Sequence, residues 1–90
     1  MRVEWDPEKA RSNLHKHKVS FEEATTALTD PMAATGDDPD HSVTEFRYVT
    51  FGVSQHGRLL VVSHTGEHDT IRIISARIAS KGERKIYEEG

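Results

Sequence analysis

The 90-residue chain has no cysteine, which excludes a disulfide framework and a thiolate metal centre. No apolar run approaches the roughly 18 residues that a membrane-spanning helix requires. The opening stretch Met1-Arg2-Val3-Glu4-Trp5-Asp6 reads as folded sequence rather than a signal peptide, so a cytoplasmic protein without membrane association is expected. Aromatic residues are scarce: one Trp, two Tyr and three Phe. With 34% hydrophobic residues the core must be small, and stability modest unless a partner covers more apolar surface. The length predicts one domain over residues 1–90.

Cations are also missing where they would be expected. Residues 21–45 carry seven acids and no Lys or Arg, although the whole chain has 12 basic residues. A net charge of −3 argues against a nucleic-acid binder that works by bulk attraction. The basic residues fall instead at the two ends, an arrangement that permits a local basic pocket inside an acidic whole. Asp37, Asp38 and Asp40 fit a solvated loop as well as a partner-binding segment.

Local patterns divide the chain into short elements. Val3 and Trp5 alternate with Arg2 and Glu4, as in a strand. Asp6-Pro7 opens a helix, with Asp as N-cap and Pro where no helical amide bond is lost. Ala10, Leu14 and His17 share one face of that helix, and Lys9, Asn13 and Lys16 a neighbouring one. Ser20 and Glu23 form a capping box for a second helix, with Val19 and Ala24 as its hydrophobic staple. Asp30-Pro31 ends that helix.

A short strand is expected near residues 32–35, then a loop, then a strand over 45–51. Ser54-Gln55-His56-Gly57 reads as a hairpin turn. Leu59-Leu60-Val61-Val62, in a strand from Arg58 to Thr65, implies burial on both faces. A second turn at 66–69, flanked by His64 and His68, leads to a strand over 70–77. Ser80 and Glu83 cap a last helix, which Gly82 weakens. The order β-α-α-β-β-β-β-α predicts an α+β fold: a single antiparallel sheet of about four to five strands, two N-terminal helices and one C-terminal helix.

The last twenty residues carry the chemistry. Arg72 and Arg77 stand in a β-branched strand, Ile71-Arg72-Ile73-Ile74-Ser75-Ala76-Arg77-Ile78, and Arg84 and Tyr87 follow on the helix. Arginine in such a strand must stay solvated or be paired, and several together suit a phosphate or a carboxylate. The pattern R-I-I-S-A-R-x-A-S-x-x-E-R-x-x-Y, from Arg72 to Tyr87, resembles the C-terminal signature of BrnT-type toxins. These are small ribonucleases of bacterial type II toxin–antitoxin pairs. Residues Glu4 to Ala24, E-W-D-P-x-K-x-x-x-N-x-x-K-H-x-V-S-F-E-E-A, resemble the family's N-terminal block.

The resemblance implies a RelE-like ribonuclease fold and RNA cleavage without a metal or other cofactor, inhibiting translation and growth. It implies neutralisation by a cognate BrnA-type antitoxin with a ribbon-helix-helix DNA-binding part, and operator DNA bound only through that complex. It places function on a lysine–histidine pair ending the first helix, Lys16 and His17, and on the sheet arginines Arg47, Arg72 and Arg77.

Metal-free cleavage needs a base for the 2′-hydroxyl, a cation for the phosphorane and an acid for the leaving oxygen. His17 continues the face of Ala10 and Leu14, which is expected to be buried, so a structural role competes with catalysis; Lys16 is then the expected substrate contact. Arg72 and Arg77 are five residues apart, so a regular strand points them to opposite faces. They share a site only if a bulge intervenes or the strand ends early; otherwise one is structural, bonded for instance to Glu83. Arg77 is the favoured phosphate ligand, because it adjoins the outward amides of residues 81–83. Arg84 and Tyr87 are candidates for substrate binding, Tyr87 as an acid or a stacking platform, with packing as its alternative.

Six histidines invite a metal reading, but His15 and His17, two apart on a helix, diverge. Two other classes remain open. One is a non-catalytic RNA- or protein-binding module on the same fold; the other is a metal-dependent hydrolase using His and Asp residues of the 37–41 segment.

Overall fold

A computed structural model describes residues 1–38 and 47–89. The element order is β1 (Arg2–Glu4), α1 (Pro7–His17), α2 (Phe21–Leu28), β2 (Ala34–Asp37), β3 (Arg47–Val53), β4 (Leu59–Glu67), β5 (Thr70–Ile78) and α3 (Lys81–Glu89). The strands form one sheet in the order β1-β5-β4-β3-β2. The expected α+β architecture is present, with one correction to the all-antiparallel sheet. β1 joins β5 in parallel, Val3 opposite Ile71. No hairpin ties β1 to a neighbour; α1 and α2 follow it directly, so nothing local imposes an antiparallel direction.

Helices α1 and α2 lie on one face of the sheet. Phe21, Ala24 and Ala27 of α2, with Val19, close over Leu60, Val62, Ile73 and Ala76, all essentially inaccessible to solvent. Trp5 meets Phe21 edge-on at 5.9 Å. Gly52 of β3 lies directly beneath Ala27, where an added Cβ would stand 2.2 Å from the Ala27 carbonyl oxygen. The helix rests on the strand at a distance only glycine permits.

Turn chemistry sets the remaining boundaries. Gly57, at φ +75°, closes the β3–β4 turn expected over residues 54–57, where the Ser54 amide donates to the Arg58 carbonyl. β4 continues to Glu67, so the second turn narrows to His68 and Asp69. β2 begins two residues later than expected, because the Asp30 carboxylate captures the Met32 amide at 2.9 Å and holds a turn there. Residues 45 and 46 of the strand expected over 45–51 lie outside the described residues; the rest is β3.

Both capping boxes open helices, in different ways. At α3 the box is complete: the Glu83 amide donates to Ser80 Oγ and the Ser80 amide to Glu83 Oε1. At α2, Ser20 caps the Glu23 amide, but the Glu23 carboxylate turns inward. It accepts from the Arg58 guanidinium and from Ser54 Oγ, tying α2 to the β3–β4 turn. Arg58 is the main reason that its carboxyl lies below the usual range.

Candidate active site

The position of α1 is set by Asn13, which is only 5% exposed. Its Nδ2 donates to the carbonyls of Val19 at 3.0 Å and Ala76 at 2.8 Å, and its Oδ1 accepts from the Ala76 amide at 3.1 Å. The side chain thus takes the place of a paired strand along β5, where β1 has already ended at Arg72. This corrects the expected inner face of α1. Asn13, not the Ala10–Leu14–His17 line, is its buried residue, and Leu14 is 50% exposed. An amide can be buried here because the sheet edge supplies partners for both its ends.

His17 is therefore exposed, as is Lys16. Both border a groove of about 250 Å³ with Lys9, Ser12, Asn13, Ile74 and Ser75. Lys18, at φ +59°, ends the helix and donates its amide to the Leu14 carbonyl. The basic pair so occupies the last turn, where the helix dipole favours positive charge.

The arginines lie on the other side of the sheet. Pairing between β4 and β5 slips at Ser63 and His64: Ser75 is opposite Ser63, Ile73 opposite His64, and Ile74 is the extra residue. That bulge meets the geometric condition for Arg72 and Arg77 to share a face. Arg77 lies opposite Val61, Ser75 opposite Ser63 and Arg72 opposite Thr65, and alternate residues of β4 share one face. Arg47 is also opposite Thr65, so Arg47 and Arg72 flank it in one row. Ser75 belongs by register to this face and also lines the α1 groove, so the two basic groups adjoin at the edge of β5.

Within this set the arginines differ in their partners. Arg72 is exposed and makes no side-chain hydrogen bond or ion pair with a described residue. Arg77 binds Glu83 with both arms of its guanidinium, at 2.7 and 2.8 Å. That bidentate bond, with help from Ser80, holds the Glu83 carboxyl at about 2. The option of a structural bond to Glu83 is thus the one Arg77 takes. Arg84 is exposed on α3 and meets Glu88 at 3.9 Å. Tyr87 donates to Asp30 at 3.1 Å; burial, followed by this carboxylate, raises its phenol. Neither lies in the α1 groove or in the row of Arg47 and Arg72.

One histidine stands out only in three dimensions. His64, beside the second turn in sequence, is buried in β4; its Nε2 is 2.7 Å from Thr50 Oγ1, which is 2.7 Å from Thr35 Oγ1. Tyr48 stacks on the ring at 5.9 Å, and burial lowers the histidine's proton affinity. Alternation along the strand was its only sequence signal. Among the described residues no three His, Asp or Glu side chains converge on a metal-sized site; residues 39–41 lie outside them.

A family model described as "Ribonuclease toxin, BrnT, of type II toxin-antitoxin system" matches residues 5–83. The chain belongs to the BrnT toxin family. The match takes in the N-terminal block from Trp5, the strands that follow and the C-terminal block as far as Glu83, so Arg84 and Tyr87 lie outside it. A crystal structure of the Brucella abortus ribonuclease toxin BrnT superposes with a TM-score of 0.65, covering 90% of this chain and 99% of that one. Identity is 21%, so the likeness concerns the BrnT fold. No curated protein matches the chain.

Proposed function

We propose that the chain is a metal-independent endoribonuclease toxin, acting in the cytoplasm to inhibit translation and growth, and neutralised by a BrnA-type antitoxin. One observation carries the catalytic part: the β5 bulge gathers Arg47, Arg72 and Arg77 on one face, beside the groove of Lys16 and His17. RNA seated across the β5 edge has a scissile phosphate near Arg72, with Arg47 in the same row. Cleavage is in-line attack of the 2′-oxygen on phosphorus. The P–O5′ bond breaks, leaving a 2′,3′-cyclic phosphate and a 5′-hydroxyl. His17, exposed and not part of a buried face, takes the 2′-hydroxyl proton. Lys16 and Arg72 carry the phosphorane charge, and the departing 5′-oxygen takes its proton from a solvent water, to which His17 returns the proton it removed. Arg77, held by Glu83, positions the arginine face and is exchanged to phosphate only if that bond opens. Arg84 and Tyr87 contribute at most to the periphery of the substrate.

The test is digestion of an RNA oligonucleotide in excess chelator. Cleavage is expected to persist with cyclic-phosphate ends, and Arg72→Ala and Lys16→Ala to lower the rate by about 10²-fold or more with the melting temperature unchanged. His17→Ala is expected to lower the rate comparably, again with the melting temperature unchanged. Loss of cleavage in chelator returns the metal-dependent hydrolase. RNA binding without cleavage under any condition returns the binding module. In cells, the chain alone is expected to arrest growth, and the adjacent antitoxin gene to relieve the arrest.

A further inference from the structure

A second groove, apolar in character, lies on the face where Phe51, Val61 and Arg77 share a row. Between β2 and α3 lies a groove of about 530 Å³ lined by Met32, Ala34, Phe51, Ile86 and Tyr87, and its charged lining residues are Glu83 and Glu88. Met32 is 76% and Ile86 73% exposed, an unusual pair of large apolar side chains to leave in water together. The groove runs into the sheet edge. β2 is the outermost strand, all four of its residues are exposed, and among the described residues no strand pairs with its outer side. The surrounding sequence is acidic, since residues 21–45 contain no Lys or Arg.

We infer that this groove and the β2 edge dock the antitoxin, through a cationic amphipathic segment that lies along β2. Its apolar side chains cover Met32, Phe51 and Ile86, and its Lys or Arg residues face the cation-free β2 side, with exposed Asp37, and the Glu88 end of the groove. The charge decides between occupants. RNA phosphates find no cation along the β2 side, where Asp37 is exposed and residues 21–45 lack Lys and Arg, and a two-fold contact with a second copy sets the same acidic edge against itself. A basic segment is attracted on both counts. Glu83 gives the site its consequence: it lines the groove and also holds Arg77. A partner seated there touches the residue that positions the arginine face.

The inference rests on the antitoxin half of the proposed function, and its test is independent of RNA cleavage. Purified antitoxin encoded beside the chain is titrated against the wild type and the double variant Met32→Glu/Ile86→Glu. Both residues are about three-quarters exposed, so the variant keeps its melting temperature; Ile86→Ala is a milder second variant. The expected result is at least 100-fold weaker binding by the double variant, about 5-fold by Ile86→Ala, and slower association at low salt for Glu88→Lys. RNA cleavage by the free variants is unchanged. Antitoxin binding within 3-fold of wild type for the double variant overturns the inference. So does a wild-type dimer that the double variant abolishes, or RNA crosslinking to Ile86. If the wild type cuts no RNA yet the double variant loses the antitoxin, the docking surface stands and the ribonuclease reading falls.

Discussion

Asn13→Ala tests the joint between α1 and the sheet. The substitution removes three hydrogen bonds and leaves the Val19 carbonyl, the Ala76 carbonyl and the Ala76 amide without partners. A buried polar group left unsatisfied costs roughly 1–3 kcal/mol. Asn13 itself lines the groove of about 250 Å³, so water can follow into the space its side chain leaves, and each of the three groups counts toward the bottom of that range. Alanine's better helix propensity returns about 0.5 kcal/mol. The net expectation is a loss of about 3 kcal/mol, which lowers the melting temperature of a domain this size by roughly 10–20 °C. Urea unfolding at constant slope measures it. Cleavage should fall as well, at temperatures where the variant is fully folded, because α1 carries Lys16 and His17. Asn13→Asp should be no better, since its carboxylate would face two carbonyls. A loss below about 1 kcal/mol would refute the claim that this amide docks the helix.

Gly52→Ala should destabilise by about 3 kcal/mol or more, because the new Cβ meets the Ala27 backbone and α2 must lift; unchanged urea stability would mean the contact is looser than described. Glu83→Gln breaks the bond to Arg77, and since Arg77 is 44% exposed the cost at pH 7 is about 1 kcal/mol. The folded carboxyl lies at about 2, below its ordinary 4.5, so this stabilisation is complete above 4.5 and fades as pH falls toward 2. The gap between wild type and variant should narrow over that interval; a constant gap would show that the charge is irrelevant. His64 is kept neutral by burial, so the unfolded chain binds its proton first and stability declines as pH falls below about 6.5. His64→Gln should flatten that decline in thermal melts, and an identical pH profile would place the effect on another group.

The fold was legible where residues speak to their near neighbours. Asp6-Pro7, Ser20 and Ser80 each start the helix expected of them, and the run Leu59–Val62 is buried on both faces. What pairing adds across the chain was not. Asn13 reads as a polar flank until β5 supplies its partners. Glu23 reads as half a capping box until Arg58 and Ser54, more than thirty residues on, claim its carboxylate. The direction of three-residue β1 has no periodic signature. In the site, the identities of the basic residues came from the family pattern, whereas their grouping depended on the register between β4 and β5. Arg72 and Arg77 were readable as a conditional pair, and Glu83 as a possible rival for one of them. Which alternative holds is a property of the sheet.

Strand β5 contains one residue more than its two faces require. Strike out Ile74, and the remaining order Ile71-Arg72-Ile73-Ser75-Ala76-Arg77-Ile78 alternates without a fault, each isoleucine and Ala76 toward the helices and each arginine with Ser75 away from them. The supernumerary residue therefore does nothing for the allocation of side chains between core and solvent. Its product is curvature, and a hydrophobic wall for the groove beside Lys16 and His17. Deletion and substitution at this one position thus ask different questions. Shortening the chain by Ile74 spares both faces while straightening the edge along which the basic groups meet. Replacing it with a polar residue keeps the bend and rewets the groove wall. Few positions in a small protein let shape be altered apart from composition in this way.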